Sequence, residues 1–334
     1  MSLRIAINGF GRIGRAALKV ALTKKDIKIV ALNDLTDNKT LAHLLQYDTV
    51  YGKFDKKVSY NDNSIIVDGQ EYPVLSEKEP AKLPWSDLKI DIVIESTGRF
   101  RTEEEASAHI TAGAKRVIIS APAKGGNVQT FVMGVNNNQV KDQKIISNAS
   151  CTTNCIAPVA AILHGKFGVK KASMTTIHSY TADQNIVDGP HKDLRRARAA
   201  AQNIIPTTTG AAAATTETIP ELAGLFDGLA IRVPTPIVSL SDLTILLKKK
   251  VTVEDINNAF KQAVKKPLYM GVVEVTEEPL VSSDLIGNPH TSIVDLSLTK
   301  VIDGDLVKVI AWYDNEWGYA NALVKMCQEI GNNL

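Results

Sequence analysis

Three glycines near the start of the chain constrain its fold more than any other feature. Gly9, Gly11 and Gly14 form G-x-G-x-x-G directly after an apolar run, Leu3 to Asn8. They open a stretch in which Ile13, Ala16, Ala17, Val20 and Ala21 recur at helical spacing. A β-branched run, Ile27 to Asn33, then ends at Asp34, twenty residues beyond Gly14. A lone glycine triplet is usually an ordinary turn, but strand, triplet, helix, strand and acid in that order predict a dinucleotide-binding unit. The glycines permit a tight turn and the close approach of a pyrophosphate, whose charge the N–H groups of Arg12 and Ile13 would meet. Asp34 would accept hydrogen bonds from the adenosine ribose. A 2′-phosphate beside that carboxylate meets like-charge repulsion, so NAD is favoured over NADP.

Further buried-type strands are expected at Ile90 to Glu95, Arg116 to Ser120, Thr130 to Val135 and Lys144 to Ser147. Helices lie between several of them, one opened by Thr102 and Glu105 at capping-box spacing. Alternation of this kind implies a largely parallel, doubly wound sheet over residues 1–150. From Cys151 the pattern changes. A helix-like stretch contains Pro158, which should kink it or remove a backbone hydrogen bond. Strands follow at Lys171 to His178, Leu229 to Val233, Ile237 to Lys248, Ser292 to Thr299 and Leu306 to Trp312, with a helix from Val253 to Lys265. A mixed or antiparallel second sheet is expected. Between His178 and Ile204 runs a long polar loop without a period, a length that usually marks function or an interface. The fold class is therefore α/β: a Rossmann-type doubly wound parallel sheet plus an α+β catalytic domain with a mixed or antiparallel sheet. The first domain spans 1–150 and is completed by a C-terminal helix over 315–334; the catalytic domain spans 151–314.

Composition narrows the functional classes. Lys plus Arg number 38 against 36 for Asp plus Glu, a net charge of +2 that does not make nucleic acid the main partner. Three cysteines argue for free thiols in a reducing compartment, hence the cytoplasm. Met1 to Asn8 enters a strand at once, and no apolar run is long enough to span a bilayer, so neither secretion nor membrane insertion is expected. No metal is expected.

The segment from Ser147 to Cys155, SNASCTTNC, places Cys151 at a strand-to-helix junction, where amide groups and the helix dipole favour a thiolate. Cys155 and Cys327 read as small buried hydrophobes. A base for Cys151 would be a histidine, and His178, closing a strand, is better placed than His43, His109, His164, His191 or His290. Spacing alone makes this a weak assignment, because a lone histidine is usually a satisfied polar group.

Longer segments add to this reading. SCTTNC at 150–155, NGFGRIG at 8–14, NDLTD at 33–37 and WYDNEWGY at 312–319 resemble the phosphorylating, NAD-dependent glyceraldehyde-3-phosphate dehydrogenases. So do His178 with Thr181, DGP at 188–190, RRAR at 195–198, Asn203 to Ala212 and RVP at 232–234, so the resemblance runs from end to end. It implies that Cys151 attacks an aldehyde, that His178 activates it and assists hydride departure, and that inorganic phosphate cleaves the thioester. Two anion sites are then needed. By similarity Thr181 and Arg232 hold the substrate phosphate and Ser150, Thr209, Gly210 and Arg196 the attacking one, with Cys151 and Thr152 completing the substrate-binding set.

The resemblance also gives Thr97 and Ser120 places near the cofactor and Asn315 a hydrogen bond to the nicotinamide carboxamide. Lys78 stands where many relatives have Arg, which leaves a backbone contact to adenine. Gly189 and Pro190 would approach the adenosine of a neighbouring subunit, and the family implies a homotetramer. An erythrose-4-phosphate dehydrogenase shares the Cys and His, but the run Ile205 to Gly210, IPTTTG, favours the phosphorylating enzyme. A non-catalytic binding protein that kept the fold, touching RNA through the cofactor groove, is opposed by the intact Cys151, His178 and both anion sites.

Overall fold

Leu3–Asn8 is a central strand because its apolar residues succeed one another without alternation, as burial on both faces of a sheet requires. It pairs in parallel with Ile27–Asn33 on one side and Ile92–Glu95 on the other. The computed structural model describes residues 2–332. Its nine-stranded sheet runs, edge to edge, Gln129–Thr130, Ile145–Ser147, Arg116–Ile119, Ile92–Glu95, Leu3–Asn8, Ile27–Asn33, Gln70–Leu75, Ser64–Val67 and Val58–Tyr60. The first seven are parallel, and the last two extend the sheet as antiparallel strands. The chain leaves Leu3–Asn8 to one side and returns on the other, which opens a crevice at the carboxyl ends of the central strands. The helix Arg12–Ala21 turns Ala16, Ala17, Leu18 and Val20 inward, and Glu103–Thr111 begins with the capping box between Thr102 and Glu105.

The expected strand from Thr130 to Val135 is corrected to Gln129–Thr130. Beyond it Gly134 takes φ +78° and Asn136 Oδ1 accepts the Val132 N–H at 2.9 Å, so the chain turns away from the ladder. Two helices were not anticipated from periodicity, Asn38–Gln46, capped by Asp37, and Ala211–Thr218 in the Ala-Thr run.

The second sheet has seven strands in the order Ile205–Thr207, Phe226–Val233, Val169–Ser179, Ser239–Leu247, Leu306–Tyr313, Ser292–Ile302 and Val273–Thr276. It is mixed: Val169–Ser179 is parallel to Phe226–Val233 and antiparallel to Ser239–Leu247. The helix Cys151–Phe167 packs on it and runs through Pro158 without a break. Every residue from Thr152 to Ala160 is buried, and this burial offsets the cost of a proline in a helix interior, about 3 kcal/mol for the missing hydrogen bond and the ring's clash together.

Two compact units result. One runs up to Phe131, takes Asn137–Ala149 and resumes at Leu323; the other holds Val132–Asn136 and Ser150–Ala322. The last helix, Trp317–Gly331, passes from the second unit into the first.

Candidate active site

In the first unit a groove of about 260 Å³ is lined by Gly9, Gly11, Asp34, Lys78 and Thr97 together with Asn8, Asn33, Glu77, Ser96 and Phe100. Gly9 has φ +93°, and a Cβ there would stand 2.6 Å from the Thr97 nitrogen. A Cβ on Gly14 would meet the Gly9 carbonyl oxygen at 2.2 Å, so helix and strand approach each other only because it is glycine. Gly11 differs, because its Cβ would touch no protein atom within 4 Å. What its bareness accommodates lies outside the chain, and the helix end above it carries no side-chain cap. Both features fit a pyrophosphate resting on the first-turn amides of Arg12 and Ile13. The Arg12 side chain points elsewhere, pairing with Asp48 at 3.1 Å.

Asp34 is fixed at the groove wall by N–H groups of Phe10, donating at 2.7 Å, and Thr36, at 2.9 Å. Ser120 is not among the lining residues; its N–H donates to the Glu95 carbonyl at 2.9 Å. Asn315 belongs to the second unit, where its Oδ1 accepts from Ser179 and Ser239 at 2.9 and 3.0 Å.

Cys151 begins its helix from a strained turn. Ala149 has φ +56°, a left-handed conformation that costs a residue with a Cβ about 1 kcal/mol or more. Ser150 then caps the helix, accepting the Thr153 N–H at 3.1 Å. Cys151 Sγ lies 3.5 Å from His178 Nε2, at the end of the strand Val169–Ser179. His178 Nδ1 is 2.7 Å from the Ser179 carbonyl oxygen and 3.0 Å from Arg232 Nη1; in the tautomer in which Nδ1 donates to the shorter, carbonyl partner, Nε2 presents its lone pair to the thiol. Burial, reinforced by the Arg232 charge, pushes His178 down to about 3, while burial pushes the Cys151 thiol up against the opposing pull of Arg232 and Thr152. Burial thus works against both the thiolate and the imidazolium at this pair, while the helix end above Cys151 favours the thiolate.

Around this pair Arg232 Nη1 donates to Thr181 Oγ1 at 3.0 Å and to the Ser179 carbonyl at 3.1 Å. Its Nε is buried without a hydrogen-bond partner among the described residues. Arg196 pairs with Asp193 at 3.3 Å and with Asp183, which also accepts from the Thr181 hydroxyl. Burial works against the charge of Asp183, yet the Thr181 hydrogen bond and the Arg232 and Arg196 charges hold its carboxyl below the usual range. Asp183 joins the two groups of anion-binding residues, and no sequence motif pointed to it. Gly210 caps the helix Ala211–Thr218 with no side chain, and Thr209 Oγ1 accepts the Ala211 N–H at 3.2 Å. The Thr152 hydroxyl faces inward, 2.9 Å from the Tyr313 hydroxyl, whose ring stands edge-on to His178. Burial pushes the Cys155 thiol up to about 12 and the Cys327 thiol higher still, so neither is a nucleophile.

Residues 3–103 match the sequence family described as glyceraldehyde 3-phosphate dehydrogenase, NAD binding domain, and residues 150–315 match the same family's C-terminal domain. The chain belongs to the glyceraldehyde-3-phosphate dehydrogenase family. It is 54% identical to glyceraldehyde-3-phosphate dehydrogenase of Geobacillus stearothermophilus over 99% of each chain. It is similarly 54% identical to glyceraldehyde-3-phosphate dehydrogenase 1 of Bacillus cereus over 97% of each, and 52% identical to the Streptomyces coelicolor enzyme over the whole of both. Membership makes it an NAD-dependent oxidoreductase with a Rossmann domain. Among the described residues no helix is long and apolar enough to cross a membrane.

The fixed Asp34 carboxylate gives a prediction for the cofactor. Asp34→Gly is expected to weaken NAD binding by removing a ribose acceptor and to improve use of NADP by removing a like charge. Measured kcat/KM values for the two cofactors should converge, and an unchanged ratio would show that Asp34 does not select.

Proposed function

We propose that this enzyme oxidises glyceraldehyde 3-phosphate and phosphorylates the product through a thioester on Cys151. The observation that carries this is Cys151 Sγ at 3.5 Å from His178 Nε2 beside Arg232, whose Nη1 donates to Thr181. As the thiol sulfur bonds to the aldehyde carbon, His178 Nε2 takes the thiol proton and returns it to the new oxyanion, giving a thiohemiacetal. His178 then withdraws the hydroxyl proton as hydride leaves the carbon, which produces the thioester. NAD would be held by the Gly9 groove and would supply the hydride acceptor; Asn315, the residue proposed for the nicotinamide carboxamide, has its Oδ1 occupied by Ser179 and Ser239, which leaves its Nδ2 to donate. Phosphate finally adds to the thioester carbon, the carbon–sulfur bond breaks, and the sulfur recovers a proton from His178 as the acyl phosphate departs.

Arg232 sets the timing. Burial disfavours the imidazolium and the Arg232 cation adds to it; pairing with the substrate's phosphate offsets that charge, so His178 accepts a proton more readily once substrate is bound. Arg232 and Thr181 hold the phosphate that arrives with the substrate, and Arg196, Ser150, Thr209 and Gly210 the one that attacks. The two arginines should therefore fail differently. Arg232→Leu is expected mainly to raise KM for the aldehyde, and Arg196→Leu mainly KM for phosphate, each by about tenfold or more for loss of a charge-assisted hydrogen bond. Steady-state kinetics with each substrate varied in turn test this, and matching profiles would sink the division. Phosphate-dependent NADH formation from glyceraldehyde 3-phosphate, compared with erythrose 4-phosphate, tests the function itself.

A homotetramer is part of this proposal. The loop over 180–204 has no regular structure and exposes Ile186, Val187 and Leu194 by 73% or more, apolar surface that another copy would cover. Three free thiols support a cytoplasmic enzyme.

A further inference from the structure

Beneath the groove lies a buried polar array that neither the cofactor motif nor the chemistry of Cys151 uses. Asn33, Asn8 and Glu95 end three neighbouring parallel strands in register, and all three are at least 96% buried. The directions of their hydrogen bonds are fixed from the far ends. The Trp85 indole, which only donates, gives its Nε1–H to His109 Nδ1 at 3.0 Å. His109 must then carry its proton on Nε2, which donates to Glu95 Oε2 at 3.0 Å. From the other side, Asn33 both donates to the Glu77 carbonyl and accepts the Glu77 N–H, each at 2.9 Å. Its Nδ2 also donates to Asn8 Oδ1 at 2.7 Å, which turns Asn8 Nδ2 toward Glu95 Oε2 at 2.6 Å. Glu95 Oε1 receives the Thr97 N–H at 2.8 Å and the Thr97 hydroxyl, whose oxygen in turn accepts from the Arg99 N–H.

Every neighbour donates to Glu95, so the cavity is shaped for a carboxylate, and no Lys or Arg pairs with it among the described residues. Removing a carboxylate from water without a cation is costly unless its oxygens are filled by donors, and here four donors fill them. The outer members of the array are walls of the groove: Asn8, Asn33, Glu77, Thr97 and Phe100, the last standing edge-on to the His109 ring.

We propose that Glu95 is a positioning residue for the dinucleotide: the one acceptor on which this array converges, holding Asn8, Thr97 and, through Asn33, the Glu77–Lys78 segment in the shape that binds NAD. The inference rests on reading the Gly9 groove as the NAD site. Glu95→Gln keeps the size of the side chain and meets a mismatched donor in either orientation, because its amide N–H groups face either His109 and Asn8 or the Thr97 backbone N–H. The cost of mismatched buried donors predicts NAD binding weaker by about tenfold or more, with KM for NAD raised and kcat at saturating NAD retained. His109→Gln, which can accept from Trp85 and donate to Glu95, should keep wild-type affinity, whereas His109→Leu should lose it.

The test is titration of the folded full-length variants with NAD by calorimetry, with Asp34→Gly as control, and 15N spectra of the wild type to show which ring nitrogen of His109 bears the proton. Protonation on Nε2, weak binding by Glu95→Gln and His109→Leu, and rescue by His109→Gln would support the proposal. Wild-type affinity in Glu95→Gln while Asp34→Gly binds poorly would overturn it and leave the groove reading intact. If Asp34→Gly also binds normally, the groove reading fails and the proposal with it. Should Glu95→Gln not fold, equal affinities of the two His109 variants would overturn it.

Discussion

Cys151→Ser is expected to lose turnover by on the order of 10⁴-fold or more, the scale on which loss of a covalent nucleophile acts, while NAD binding stays within about twofold of wild type. The reason lies in the sulfur. A thiol is more acidic and more nucleophilic than a hydroxyl, and burial pushes even the thiol up, so its reactivity depends on His178 taking the proton. A serine there would face the same desolvation from a much worse starting point. The cofactor determinants, Gly9, Gly11 and Asp34, lie in the other compact unit, so the substitution leaves them unchanged. NADH formation gives turnover, and titration of the same preparation with NAD gives affinity. A serine variant with turnover within tenfold of wild type would remove Cys151 from the covalent role.

How much of this was legible in the sequence depends on how local each cause is. The turn at Gly9 and Gly14 is dictated by contacts a few residues apart in sequence or just across a strand, so a short motif carries it. The Thr102–Glu105 capping box is equally local and is present in the structure. The seating of Cys151 beside His178 was legible only from a motif and a strand end, and the structure brings the two within 3.5 Å. Less local causes were missed. Pro158 predicts a kink or a lost backbone hydrogen bond, and the helix loses the bond without breaking, because its burial against the second sheet is not something periodicity reports. His109 was set aside as a lone histidine, because its partners Trp85 and Glu95 come from other strands and loops of the chain. Asp183 bears no motif, and its meaning comes from Arg196 and Arg232 meeting it in space. The helix end above Cys151 is visible in sequence, whereas the burial that works against a thiolate there is not.

That burial makes the effect of removing His178 specific. With the imidazole pushed down to about 3, falling pH does not protonate it on passing the ordinary histidine value of about 6.5, so Nε2 remains a proton acceptor across the physiological range. Thiol capture in the wild type should then show no acid limb near 6.5, and reactivity near neutrality should persist because His178 accepts the proton as the sulfur bonds to carbon. In His178→Asn only preformed thiolate reacts, and burial makes that thiolate scarce. Iodoacetamide alkylation of Cys151, followed by mass spectrometry against pH, is therefore expected to lose its neutral-pH rate and shift to higher pH. Dehydrogenase turnover should fall by roughly a hundredfold or more, as general acid–base catalysis predicts. A wild-type limb near 6.5 that disappears in the variant would show that the imidazole titrates in its ordinary range and that burial does not control it. Superimposable alkylation profiles for the two proteins would show that His178 does not activate this thiol, and the assignment of the pair would fall.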